Sequence, residues 1–349
     1  DKVKSCDFDS EIAELSSRME PTSGELMSFG TCELRTYRLA LAATGEYTAF
    51  HGGSAANAIA AQVTTMNRVN GIYERDMAIT MTIIANNNLL IYTNTGSDPF
   101  TNGNPNTMIN QNQTNTDAVI GSANYDIGHV FGTNSGGLAG LGVVCSNGQK
   151  ARGVTGSGAP IGDAFDIDYV AHEMGHQFAG NHTFNSVTSS CGGGNRSSTT
   201  AYEPGSGTTI MAYAGICGSD DIAPNSDPYF HAGSLDEINA FISTTANACA
   251  AKTVTTNNQP IVNAGADYVI PISTPFILKG TASDPDSGDV LSYSWEQMDL
   301  GPQGAPNSAT LNAPLFRFFP PKNTGTRMFP QLSNVLANST TLGERLPSY

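Results

Sequence analysis

The hydrophobic positions of this chain change their spacing several times, and each change marks an element. From Leu34 to Ala43 apolar residues alternate at Leu39, Leu41 and Ala43, the period-two pattern of a strand. Thr44-Gly45-Glu46 then reads as a turn. Residues 52–71 read as a helix, with Ala and Ile recurring every three to four positions and Gly71 as the stop. Residues 78–85 and 89–92 read as strands, and the Asn- and Thr-rich run 93–117 as loop. Residues 138–145 form a Gly-rich strand pattern with 151–155 as its neighbour. The clearest helix covers Asp166 to Ala179. There Ile167, Val170, Ala171, Met174 and Phe178 share one face, and Asp163 and Asp166 are candidate caps. Residues 186–208 read as loop. A last helix is predicted from Ser234, where Ser234 and Glu237 fit a capping box, to about Thr245.

Past a linker at 252–259 the pattern is all-β, with short strands at 268–272, 276–281 and 290–297. The only tryptophan, Trp295, is the expected core residue of a small sandwich there. A length of 349 residues suits two domains. Hydrophobic residues make up 39%, enough for a core, and only 13% are charged, a balance that suits an extracellular protein. With 16 basic against 31 acidic residues the net charge is -15, which argues against nucleic acid and anionic membranes as partners. No stretch approaches the roughly 20 apolar residues of a membrane span. The six cysteines (Cys6, Cys32, Cys145, Cys191, Cys217 and Cys249) form no CxxC pair, so they read as disulfides made in an oxidising compartment. The chain starts at Asp1 with no signal peptide, as a processed or trimmed form would.

Chemistry concentrates in residues 172–182, HEMGHQFAGNH. His172 and His176 lie four apart on the predicted helix, so they project from one side about one turn apart, nearly opposite the apolar stripe. Glu173 adjoins the first of them, where a carboxylate can take a proton from a metal-activated water. His182 can join only if the chain bends after the helix, and Gly180 with Asn181 is the expected place. Three imidazoles with a fourth position open to water make a catalytic zinc site.

HExxHxxxxxH followed by Thr209-Ile210-Met211-Ala212-Tyr213 resembles the metzincin zinc peptidases, whose Met-turn follows the zinc helix. Gly137-Leu-Ala-Gly-Leu-Gly-Val-Val-Cys145, the strand at 35–43 and His182-Thr-Phe-Asn185 resemble the reprolysin-like (adamalysin) branch, over about residues 33–250. The resemblance implies a secreted zinc endopeptidase acting on proteins or peptides as a monomer. Its zinc would be held by His172, His176 and His182, with Glu173 as base to the zinc-bound water. Met211 would floor the metal, and Tyr213 is a candidate transition-state donor. Leu138, Ala139, Gly140 and Leu141 would form the edge strand that pairs with substrate. Disulfides Cys145–Cys249 and Cys191–Cys217 are implied, leaving Cys6 and Cys32 as a pair.

The implied organisation is an N-terminal strap or pro-segment remnant (1–31), an α/β metzincin catalytic domain with a twisted mixed sheet (32–252) and an all-β Ig-like sandwich (253–349). Two departures stand out. Ala179 replaces the family's glycine three residues after the second histidine, which shifts the expected bend by one to Gly180. Arg38 occupies the place of a calcium-binding Glu. Calcium remains a second candidate ion, at Asp220, Asp221 and Asp227 or in the acidic turn 283–289. Two rivals stay open: a zinc site with Glu203 as third ligand, and an adhesin-like binding protein that keeps the fold without catalysis.

Overall fold

The computed structural model describes residues 32–134, 136–308 and 314–347, together with the backbone of residues 6–8. By its backbone contacts the chain divides into two compact units, residues 1–181 with 235–254 and residues 182–234 with 255–349.

In chain order the first unit holds β1 (Cys6–Phe8), β2 (Glu33–Ala43), α1 (Gly45–Phe50), α2 (Ala55–Met77), β3 (Ile79–Ile83), α3 (Pro105–Val119), β4 (Ile127–Gly132), β5 (Gly136–Ala139) and β6 (Gly153–Gly156). The short helix α4 (Asp163–Phe165) leads through a π-helical turn, Asp166–Ala171, into α5 (His172–Gln177); α6 (Ala232–Ser243) and β7 (Ala251–Val254) follow. One mixed sheet runs β1-β5-β6-β4-β2-β3, with β7 pairing β2. Strands β2, β3, β4 and β6 are mutually parallel, and β5 runs antiparallel to β6. Its centre is closed to solvent: Leu39 to Ala43 on β2 and all six residues of β4 are buried. A cluster including Phe100, Met108, Ile109, Tyr125 and Val130 fills the space between α3 and the sheet.

Local chemistry explains where the elements depart from the pattern read above. Thr44-Gly45-Glu46 is a helix start rather than a turn, because the Thr44 side chain accepts from Tyr47 N–H and caps α1. Gly71 does not end α2. Buried Ile72, Tyr73 and Met77 carry the helix to a left-handed cap at Ala78, so packing overrides the glycine. Residues 105–119 are helical, with Asn104 as cap and Pro105 in the first turn. Residues 89–92 give only a 3-10 turn and an isolated bridge from Ile91 to Ala43. Asp163 pairs with Arg68, and Asp166 accepts from the Thr65 hydroxyl, so neither caps the zinc-motif helix. The last helix begins at Ala232, which leaves Ser234 inside it, and Glu237 instead binds the Asn181 backbone and side-chain amides.

The Cys145–Cys249 bridge forms in this unit. The expected Cys6–Cys32 pairing falls outside the described residues, since the Cys6 side chain is not among them. Arg38 forms an ion pair with Asp126 at 2.7 Å, a buried carboxylate.

The second unit holds the loop 182–234, the antiparallel pairs β8 (Ile261–Asn263) with β10 (Thr281–Ser283) and β9 (Phe276–Lys279) with β11 (Thr326–Phe329), and the short helix α7 (Leu332–Ala337). Phe276, Phe316 and Phe329 pack ring to ring, at centroid separations of 4.9 to 5.6 Å. Residues 268–272 and 290–297 are not strands apart from one bridge at Tyr293. Trp295 is only half buried, donating from its indole N–H to Gly325 O. The Cys191–Cys217 bridge forms within the loop. Residues 301–306 lie on that loop: Asn185 donates to Pro302 O and Arg196 to Gly301 O. Among the described residues no helix is long and apolar enough to cross a membrane.

Candidate metal centre and active site

The π-helical turn and α5 place His172 and His176 one above the other, and the four residues from His172 to Gly175 lie at the buried heart of the first unit. A π turn at this point is the usual companion of a functional site, because the extra residue re-aims the side chains that follow. The helix stops in a Schellman arrangement: Ala179 N–H reaches His176 O at 2.8 Å and Gly180 N–H reaches Gly175 O at 2.9 Å. The left-handed residue is Ala179, at φ 73°. The bend therefore sits where the resemblance places the family's glycine, not one residue later at Gly180, and an alanine bears it. An L-residue in that conformation costs about 1 kcal/mol or more. Ala179→Gly is accordingly expected to stabilise the fold by on the order of 1 kcal/mol. A melting temperature unchanged or lowered in that variant would contradict this.

One ligand nitrogen from each of His172, His176 and His182 lies within 4.8 Å of the others, and all three residues are buried. Nδ1 of His176 stands 2.7 Å from Gly180 O, and Nδ1 of His182 stands 2.7 Å from Asn195 O. A carbonyl can only accept, so both Nδ1 atoms carry the proton and both Nε2 atoms keep a lone pair. The Nε2 atoms of His176 and His172 are 3.0 Å apart. Two nitrogens bound to one tetrahedral ion at about 2.0–2.1 Å would stand roughly 3.3 Å apart, so the donor set fits a small divalent cation that favours imidazole. Glu203 is not in this group. Its carboxylate is taken up by Thr183, Thr208 and Thr209.

Glu173 is fully buried beside β5. A Cβ on Gly137 would lie 1.9 Å from Glu173 Oε1, so the glycine hydrogen is all that the space between them admits. Of the expected substrate residues, Leu138 and Ala139 are on β5, whereas Gly140 and Leu141 follow its end. The far edge of β5 is paired in parallel by β1, with Cys6 opposite Gly137. Met211 is fully buried, and its carbonyl accepts from Thr183 N–H, joining residue 211 to the residue after His182. The Tyr213 ring meets the His182 ring edge-on at 4.6 Å and stacks on Phe184 at 4.5 Å.

Gln177, at the end of α5, donates to Gly128 O and accepts at 2.8 Å from His129 Nδ1, while His129 Nε2 faces the Thr155 hydroxyl. Burial pushes the His129 imidazole down to about 4. In the unfolded chain it titrates near 6.5. The folded state is therefore at full stability above that value and loses it as the pH falls toward 4, by about 3 kcal/mol in all. His129→Gln is expected to flatten this limb of the stability profile relative to the parent. Parallel profiles between pH 7 and 4.5 would refute the assignment. The isolated position of His129 in the sequence points to a surface or hydrogen-bonded core role, and the structure shows the second, whereas Gly137, Asn195 and Thr183 carry no site expectation in the sequence. For Gly137 the available sign was a glycine inside a strand pattern, which often marks a close approach.

The three carboxylates Asp284, Asp286 and Asp289 also come together, in the second unit, while Asp220 is occupied by the Ser186 hydroxyl.

Comparison with known proteins gives three results. The family model described as "Metallo-peptidase family M12B Reprolysin-like" matches residues 33–241, well over half of the chain. No curated protein matches. Among solved structures, a chain of a chaperone-substrate complex is 12% identical with a TM-score of 0.33, covering 59% of this chain and 35% of its own length. Myroilysin is 11% identical with a TM-score of 0.35, covering 68% of this chain and 90% of its own. This chain thus spans about a third of the first of these structures and most of the second. At those scores the assignment rests on the matched region alone. Matched over that region, and with His172, His176 and His182 gathered in one group, the chain belongs to the reprolysin-like metallopeptidases of family M12B.

Proposed function

We propose that the chain is a secreted zinc-dependent endopeptidase that hydrolyses internal peptide bonds, with His172, His176 and His182 as ligands and Glu173 as general base. The observation that carries this is the convergence of the three imidazoles, two of them with Nδ1 fixed on a carbonyl so that Nε2 keeps the lone pair a metal would take. Zinc bound there supplies a Lewis acid that polarises the scissile carbonyl and lowers the pKa of water. Glu173 takes the proton of the attacking water on a carboxylate oxygen and passes it to the leaving amine. Tyr213, whose ring packs edge-on against His182, is the proposed donor to the developing oxyanion, and buried Met211 the proposed apolar floor. An extended peptide pairs with β5 along Leu138 to Leu141 by adding a strand. The backbone of Cys6 to Phe8 holds that edge here, so it must leave before substrate enters.

Two disulfides support an oxidising, extracellular setting. The antiparallel pairs among residues 261–329 agree with an Ig-like β module in 253–349. Calcium, if bound, falls to the acidic turn around Asp286.

Metal analysis combined with casein cleavage tests the reading. The parent is expected to carry one zinc per chain and to cleave. His182→Ala is expected to lose the metal and the activity together. Zinc and cleavage retained in that variant would end the proposal. A zinc-loaded parent that cleaves neither casein nor a peptide library would instead favour the adhesin-like binding protein.

A further inference from the structure

We infer that Glu203 is a positioning residue for the third metal ligand, acting through the segment that carries His182 and through the Met-turn. The inference rests on the zinc reading above.

Glu203 is 1% exposed, and a buried carboxylate persists only where its acceptor sites are filled. Four donors fill them. Oε2 accepts from the backbone N–H groups of Thr208 (2.8 Å) and Thr209 (3.1 Å), which lead into the Met-turn. Oε1 accepts from the hydroxyls of Thr183, at 2.6 Å, and Thr209. The same carboxylate therefore grips the residue directly after His182 and the two residues just before Ile210 and Met211. Backbone bonds complete the link: Glu203 N–H donates to Thr183 O at 2.8 Å, and Thr183 N–H to Met211 O at 3.1 Å. His182 is held from a second side, since the Thr200 hydroxyl donates to its carbonyl at 2.7 Å. Gly207 leaves room for this arrangement, because a Cβ there would lie 3.0 Å from the Glu203 side chain. The Arg317 guanidinium supplies positive charge to Glu203 and to neighbouring Asp227.

His172 and His176 are fixed by the helix they share. His182 lies beyond the helix in an irregular loop, where helical spacing does not set its position. A carboxylate that accepts four hydrogen bonds from both sides of the loop sets it. Loss of that brace lets the third imidazole wander, and a metal site is sensitive to such outer partners, typically by 10- to 100-fold in affinity.

The test measures zinc dissociation constants by chelator competition in the full chain, alongside melting of the zinc-free protein. Glu203→Ala is expected to weaken zinc at least tenfold. Glu203→Gln is expected to restore most of the affinity, since its carbonyl can serve the two backbone N–H groups while its amide faces hydroxyls that can accept. Thr183→Val removes one arm without cutting the carboxylate, and is expected to weaken zinc several-fold. It decides the matter if Glu203→Ala does not fold. Zinc affinity within twofold of the parent in Glu203→Ala, or in Thr183→Val where the alanine variant does not fold, would make Glu203 merely structural and overturn the inference, even if zinc-free melting falls. A parent that binds no zinc, or a His182→Ala variant that binds it as well as the parent, would bring down the reading of the metal site itself and this inference with it.

Discussion

Glu173→Gln is expected to keep its zinc and lose peptidase turnover by about a thousandfold, the middle of the range for removing a general base. The substitution is nearly isosteric and leaves the three imidazoles of the metal group in place. The amide cannot accept the proton of the attacking water, so the loss falls on kcat. A thousandfold corresponds to about 4 kcal/mol of barrier. Because Glu173 is fully buried in a slot beside β5, a neutral side chain there removes a charge from the interior, and the zinc-free protein should melt no lower than the parent. The measurement is kcat with a quenched peptide, beside metal content for each preparation. A variant that keeps its metal and more than a tenth of its turnover would show that some other group accepts the proton.

The parts of the site legible in the sequence were those set by helical spacing. Two histidines four apart with a glutamate between them occupy one side of a helix whatever the rest of the fold does, and the helix 166–177 formed where the apolar stripe placed it. The third histidine was legible by its offset, yet the bend that delivers it was misplaced. The pattern points to Gly180 with Asn181, residue types that enter the left-handed region readily, whereas Ala179 takes that conformation because the two bonds from Ala179 and Gly180 back into the last turn fix it there. Both disulfides among described residues matched the pairing implied by resemblance; spacing by itself left their connectivity open.

Other elements were illegible for a common reason: polar residues do the work of the core. On α3 the buried face includes Asn112, Gln113 and Thr116. Asn112 donates to Ala151 O, and Gln113 accepts from Ala151 N–H, so these side chains satisfy backbone groups as strand β6 is approached. A hydrophobicity pattern scores such a face as loop. Strand β4 hides similarly, since His129 sits at its centre and its partners, Gln177 and Thr155, are distant in sequence. In the second unit the error runs the other way. Residues 268–272 have the alternation of a strand, but Tyr268, Val269 and Ile272 are exposed and pair with nothing in a sheet. Alternation expresses a capacity to bury one face, and it becomes a strand only where another layer is there to receive that face.

Gly137→Ala is expected to separate geometry from stability at the site more sharply than any substitution of the proposed base, Glu173. Gly137 lies in β5 between Thr155 on one side and Cys6 on the other, in extended backbone that alanine adopts without strain. On strand preference alone the change is favourable. Its methyl group, however, would stand 1.9 Å from Glu173 Oε1, 2.4 Å from Cδ and 2.7 Å from Cγ. The neighbour that must yield is the end of a flexible side chain, so the fold survives while the carboxylate moves by an ångström or more. A displacement of that size at a reacting group costs on the order of a hundredfold in rate. The expected variant is folded, zinc-loaded and melts within a few degrees of the parent, with kcat/KM down about a hundredfold. Gly137→Ala combined with Glu173→Gln should be little worse than Glu173→Gln alone, because both act on the same group. Full activity in the alanine variant would mean that the observed pose of Glu173 is not the one from which it acts. An additive loss in the double variant would place the effect of Gly137 on substrate pairing along β5 instead.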